Sequence, residues 1–113
     1  MKNTRIILSS DTATTHRMLG ESSSRREQMI LRRVKQKFDL IKENPHHGDP
    51  IAKRMIPQRY ASTYGITNLF RVELPSYWRM LYTLTGDGDD IVAFILDIID
   101  HKMYDKLFGY RKK

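Results

Sequence analysis

At 113 residues and 13.4 kDa the chain is sized for one domain with a single core, so one domain over residues 1–113 is expected. A composition of 40% hydrophobic and 29% charged residues is that of a soluble globular protein, no apolar run approaches the roughly 18 to 20 residues of a membrane span, and the absence of cysteine excludes a disulfide framework and a thiolate metal site. Twenty Lys+Arg against thirteen Asp+Glu leave a net charge of +7 and a pI near 9.8, a balance that suits a polyanionic partner and, equally, simple solubility.

In chain order, the apolar part of MKNTRIILSS is too short for a secretory signal, so a cytoplasmic location is expected. Arg5 to Ser9 reads as a short strand, and Thr12 to Leu19 as a short helix capped by Asp11 and stopped by Gly20. Ser24 followed by Glu27 has the form of a capping box. The segment Arg25 to Glu43 carries the strongest helical signal. Ile30, Val34, Phe38 and Ile41 recur at helical spacing, Met29, Leu31 and Leu40 widen the stripe, and Arg25, Arg26, Arg32, Arg33, Lys35 and Lys42 occupy the opposite face. Asn44-Pro45 ends the helix, and His46 to Pro50 reads as loop. Pro57 forbids a continuous helix from Ile51 to Thr63, although Gln58 to Tyr64 suits a turn of one.

The stretch from Asn68 to Tyr104 organises the rest. Leu69, Arg71 and Glu73 alternate with Phe70, Val72 and Leu74 at the period of a half-buried strand. Pro75-Ser76-Tyr77 breaks that pattern, and Trp78 to Thr85 reads as a second strand, aromatic and β-favouring throughout. Gly86 to Asp90 is a turn, and Ile91 to Ile99 is apolar enough for a strand buried on both faces. Asp100 then caps a terminal helix from His101 to Phe108, with Gly109 as its stop and Tyr110-Arg111-Lys112-Lys113 as a basic tail. The expected fold is α+β: a small antiparallel meander, helices on one face, the other face available, and a short C-terminal helix.

Two groups of residues carry possible chemistry. Arg71 and Arg79 flank the Pro75 turn and would project from adjacent strands, with Lys53 and Arg54 upstream; guanidinium groups bind phosphate oxygens bidentately. Taken alone, the same arginines read more readily as solvent-facing strand residues, with Arg71 or Arg79 paired to Glu73. His101 and Tyr104, three apart at a helix start, would address one ligand atom, and Lys102 adds a cation; they also read as a polar first turn with a packed tyrosine. His46, His47 and Asp49 lack the spaced pattern of a zinc site, so no metal is expected. Trp78, Tyr82 and Phe94 suit base stacking but more often pack in a core.

The run NLFRVELPSYWRMLYTL, the Gly/Asp turn and the apolar strand closing on DHKMYDKLF resemble the RelE/ParE superfamily of toxin–antitoxin toxins. Trp78-Arg79-Met80-Leu81-Tyr82 stands for its central strand signature, and His101-Lys102-Met103-Tyr104-Asp105 is similar to the His-x-x-Tyr-Asp ending of HigB-like members. The upstream helix and the Asn44-Pro45…Gly48 loop suit the same layout. The resemblance implies a ribosome-dependent endoribonuclease that cuts mRNA without metal or other cofactor, inhibits translation and is neutralised by a cognate antitoxin. Carried over by position, Arg79 would stabilise the phosphate, with Arg71 beside it, while His101 and Tyr104 supply proton transfer or stacking and Lys102 a further cation. Arg32 and Arg33, with Lys53 and Arg54, would bind RNA. Glu73 stands where RelE-like toxins often carry a second basic residue, and a carboxylate base occurs in some relatives. The superfamily also includes gyrase-inhibiting ParE types and degenerate, non-toxic homologues, and the alternative reading is a non-catalytic RNA- or ribosome-binding module on the same fold.

Overall fold

The computed structural model describes residues 3–109, and the basic tail from Tyr110 to Lys113 lies outside the described residues. In chain order the elements are β1 (Thr4–Leu8), α1 (Ser10–Glu21), α2 (Arg25–Glu43), β2 (Asp49–Pro50), α3 (Gln58–Tyr64), β3 (Phe70–Leu74), β4 (Trp78–Asp87), β5 (Asp90–Ile99) and α4 (His101–Phe108). The strands form one sheet in the order β1-β5-β4-β3-β2. The meander β3-β4-β5 is antiparallel as expected, whereas β1 lies parallel to β5, so the sheet is mixed. A parallel neighbour needs a long crossover, which the chain between β1 and β5 supplies. The β4–β5 turn is tighter than the sequence suggests. Asp87 pairs with Asp90, leaving only Gly88 and Asp89 outside the ladder, and Gly88 adopts the positive φ that such a hairpin requires.

Both faces of the sheet are covered, which corrects the expectation of an open face. On one face α1 and α2 pack Leu19, Ile30, Val34 and Ile41 onto Phe70, Val72, Met80, Tyr82, Ala93, Ile95 and Ile98. On the other, Tyr60 of α3 and Tyr104 of α4 close a smaller core with Leu69, Leu81 and Leu96. A β-bulge decides what β5 presents there. Leu81 pairs with Asp97 but Tyr82 with Ile95, so Leu96 is the extra residue, and both Leu96 and Asp97 reach the α3/α4 side. The bulge also diverts backbone acceptors: the Ser9 hydroxyl donates to the Leu96 carbonyl (2.8 Å) and the Thr12 hydroxyl to that of Ile95 (3.0 Å). These bonds pin the start of α1 to the middle of β5.

Ser9 is the cap of α1, accepting from the Thr12 amide at 3.0 Å; Asp11 already lies inside the helix, which runs through Gly20 to Glu21. Ser24 caps α2, but the capping box is only half formed. Ser24 accepts from the Glu27 amide (3.3 Å), whereas its own amide donates to Ser22 Oγ (3.0 Å) rather than to the Glu27 side chain. Within α2 the stripe buries Ile30, Val34 and Ile41 and half-buries Phe38, while Met29 and Leu40 stay exposed. No helix among the described residues is long and apolar enough to cross a membrane.

His16 on α1 stacks on Phe38 of α2, and burial, helped by Lys35, lowers its pKa below the ordinary value. The unfolded chain therefore takes up this proton more readily than the folded one. The stability tied to neutral His16 is complete above the unfolded pKa near 6.5 and is lost as pH falls below it. Replacement by Gln should accordingly lessen the drop in the urea midpoint between pH 7 and pH 5. An unchanged drop would show that His16 does not contribute.

Candidate functional site

The alternation of β3 and β4 sends Arg71, Glu73 and Arg79 to the face that α4 covers, because their neighbours Val72, Leu74 and Met80 fill the opposite core. The register sets Glu73 directly across from Arg79, with Arg71 two residues along the same strand. The Glu73 carboxylate lies between the two guanidiniums, Oε1 at 3.0 Å from Arg79 Nε and Oε2 at 3.5 Å from Arg71 Nε. Both contacts are at ion-pair distance, yet neither Nε is aligned for a hydrogen bond. Glu73 thus steadies the arginines electrostatically without occupying their best donor directions.

Helix α4 brings the aromatic half of the site. Asp100 caps it, accepting from the Met103 amide at 2.9 Å, which fixes the first turn so that His101 and Tyr104 are one turn apart. Tyr104 is buried against the sheet. Its hydroxyl accepts from Arg71 Nη1 at 3.1 Å, and the Arg79 guanidinium lies over its ring at 5.4 Å. The bond to Tyr104 is the chief reason the Arg71 pKa is raised; burial opposes it, and Glu73 and Asp49 assist. His101 is exposed at the rim, its ring edge-on to Tyr77 at 6.0 Å.

The fold therefore joins Arg71, Arg79 and Tyr104 by contact and sets His101 one turn from Tyr104 on α4. Lys102 is exposed on that helix, and Lys53 and Arg54 are exposed on the turn before α3, with no described contact to the arginine pair. Arg32 and Arg33 lie on α2, across the sheet from Arg71 and Arg79. Trp78, Tyr82 and Phe94 are packed in the two cores, so their structural reading is the one realised. His46 stands edge-on to Phe70, and among the described residues no group of three or more His, Cys, Asp or Glu side chains is disposed to hold a metal.

One cluster has no counterpart among the candidate residues. Asp97, buried in β5, accepts from the Tyr60 hydroxyl (2.6 Å) and Arg59 Nη2 (2.7 Å) at the same oxygen. Burial first, then Asp97, holds the Tyr60 hydroxyl far above its ordinary pKa, so it remains a proton donor. Arg59 and Asp97 line an open groove of about 610 Å³ between α1 and α4. The signal was the lone carboxylate in IVAFILDII, since a charge in a strand buried on both faces requires partners.

Behind Arg71, the loop between α2 and β2 is fixed by Tyr82. The Gly48 amide donates to the Tyr82 hydroxyl (2.9 Å), which donates to the Pro45 carbonyl (2.7 Å). A Cβ on Gly48 would stand 2.9 Å from Tyr82 Cε1 and 3.1 Å from the Arg71 carbonyl. Gly48→Ala is expected to lower stability by about 1–3 kcal/mol, the usual range for an overpacked site. A urea midpoint equal to wild type would show that the loop moves aside.

No family model matches the sequence, and no match to it was found among the curated proteins. The fold is similar to that of a solved "YoeB/ParE toxin from Agrobacterium tumefaciens", with a TM-score of 0.58 over 86% of this chain and 98% of that one at 10% identity. The α+β architecture is thus shared with a toxin of that type, with few residues in common.

Proposed function

We propose that this chain is a toxin of the RelE/ParE superfamily, a ribosome-dependent, metal-independent ribonuclease that cuts mRNA, arrests translation in the cytoplasm and is neutralised by an antitoxin. One observation carries the reading: Arg71, Arg79 and Tyr104 converge on one surface around Glu73, on a fold similar to that of a YoeB/ParE toxin. In the proposed reaction a ribose 2′-oxygen attacks the adjacent phosphorus and the bond to the 5′-oxygen breaks. The products are a 2′,3′-cyclic phosphate and a free 5′-hydroxyl. Arg79 and Arg71 offer N–H groups to the non-bridging oxygens, where charge accumulates. Glu73, beside both cations, takes the 2′ proton, and His101 delivers a proton to the leaving 5′-oxygen. Tyr104 orients Arg71 through its hydroxyl and Arg79 through its ring. Lys53, Arg54 and Lys102 add attraction for the phosphate backbone. Arg32 and Arg33 would meet a different part of the ribosome, because the sheet separates them from the scissile phosphate.

A second reading, a non-catalytic RNA- or ribosome-binding module, draws on the same Glu73, whose ion pairs with both arginines would make the cluster structural. The two differ in the RNA. Mapping RNA 5′ ends after brief induction should give new ends within translated codons, absent with Arg79→Ala and with His101→Ala. Uncut messages in the presence of wild type would sink the nuclease reading and favour the binding module.

A further inference from the structure

Resting on that reading, we infer that Tyr77 contacts the RNA directly, its ring stacking on an unpaired nucleobase flanking the phosphate held by Arg71 and Arg79. Tyr77 is 73% exposed, the most exposed large side chain among the described hydrophobic residues, and belongs to neither core. It sits in the turn Pro75–Tyr77, where Ser76 and Tyr77 both adopt positive φ, 60° and 62°. Left-handed backbone is strained for any residue with a Cβ, and two in succession at a turn where glycine would serve is unusual. Nothing in the packing requires a tyrosine there. Strain of this kind is concentrated where a side chain must be aimed.

The aim is specific. The turn ends at the residue before β4, whose second residue is Arg79, and the Tyr77 ring meets that of His101, one helical turn from the Tyr104 that contacts both arginines. The 68° interplanar angle leaves the exposed His101 ring edge-on at the rim, so the two rings are not stacked on each other. A phosphate at the arginines would carry its nucleoside to this rim. Single-stranded RNA is held in this way, with cations along the backbone and aromatic faces under splayed bases, and stacking accepts any base because each has a π-face. Of the aromatic residues first considered for stacking, Tyr82 is buried and Trp78 and Phe94 are partly buried against the two cores, whereas Tyr77 and His101 are exposed.

The test uses a short RNA made uncleavable by 2′-O-methylation, with 2-aminopurine at successive positions, presented free and in the decoding site of programmed ribosomes. Wild type should quench the fluorophore strongly at one position next to the bound phosphate. Tyr77→Phe and Tyr77→Trp should keep the quenching. Tyr77→Ala should abolish it at that position and weaken binding about tenfold, within the range for removing one stacking partner. Ser76→Gly, which relieves strain, should hold or raise the thermal midpoint while reducing the quench, a combination that a merely structural turn would not give. Equal quenching and affinity for Tyr77→Ala and wild type, with binding still lost in Arg79→Ala, would overturn the stacking role and leave the nuclease reading intact. No binding by wild type in either setting would overturn both.

Discussion

Arg79→Ala is expected to reduce message cleavage by about 10²–10³-fold, the range found when one preorganised donor to a developing oxyanion is removed. The size follows from how Arg79 is held. Its side chain is only 19% exposed, lies over the Tyr104 ring and faces Glu73, so the guanidinium is ordered before substrate arrives. Its side-chain hydrogen bond among the described residues is a long one, 3.4 Å to the Trp78 carbonyl, and breaking it to meet a phosphate oxygen sacrifices little. Arg79→Lys should recover only part of the loss, because an ammonium is a point charge and cannot reproduce the planar fork. The loss should appear in the chemical step under single-turnover conditions more than in RNA binding, since the phosphorane carries more charge than the ground state. Stability should fall by only about 1 kcal/mol, from a cation–π contact and a part-exposed ion pair. A drop of less than tenfold with the fold intact would remove Arg79 from the transition state.

Much of this arrangement was legible because it is local. Alternation from Leu69 to Leu74, the aromatic and β-favouring content of Trp78–Thr85, the Asp100 and Gly109 signals around α4, and the stripe of α2 each depend on neighbours in sequence, and each element appears where those signals lie. That Arg71 and Arg79 share a face with Glu73 follows from the period of two and one short turn. What escaped was non-local. The parallel pairing of β1 and the covering of the second sheet face depend on where α3 and α4 fold back, for which composition gives no register. Ser9 rather than Asp11 caps α1 because β5 offers the carbonyls of Ile95 and Leu96 to Ser9 and Thr12, a partner more than 80 residues away. Tyr77 looked like part of a proline break because positive φ at Ser76 and Tyr77 has no sequence signature.

Asp97→Ala should be the most damaging single change to the scaffold, lowering stability by about 3 kcal/mol, with a matching fall in the urea midpoint. One carboxylate oxygen accepts from both Tyr60 and Arg59, and Tyr60 is fully buried, so truncation strands a hydroxyl where water does not reach. Asp97→Asn tests the charge separately. The amide oxygen can still accept from Tyr60, but its NH₂ group faces Arg59, whose charge then loses its partner. Because Arg59 is about half exposed, water offsets part of that loss, and the Asn variant should fall between Ala and wild type. The consequences reach the site through packing. Tyr60 and Tyr104 share the core that α3 and α4 close, and Tyr104 positions both arginines. Asp97→Ala should therefore lower cleavage well below the melting temperature, with Arg79 and His101 unaltered. Tyr60→Phe removes the hydroxyl together with its need for an acceptor, and should restore part of the stability in the double variant. If Asp97→Ala melts like wild type, the triad is not what fixes α3 to β5, and the apolar contacts of Tyr60, Leu81 and Leu96 hold that layer alone.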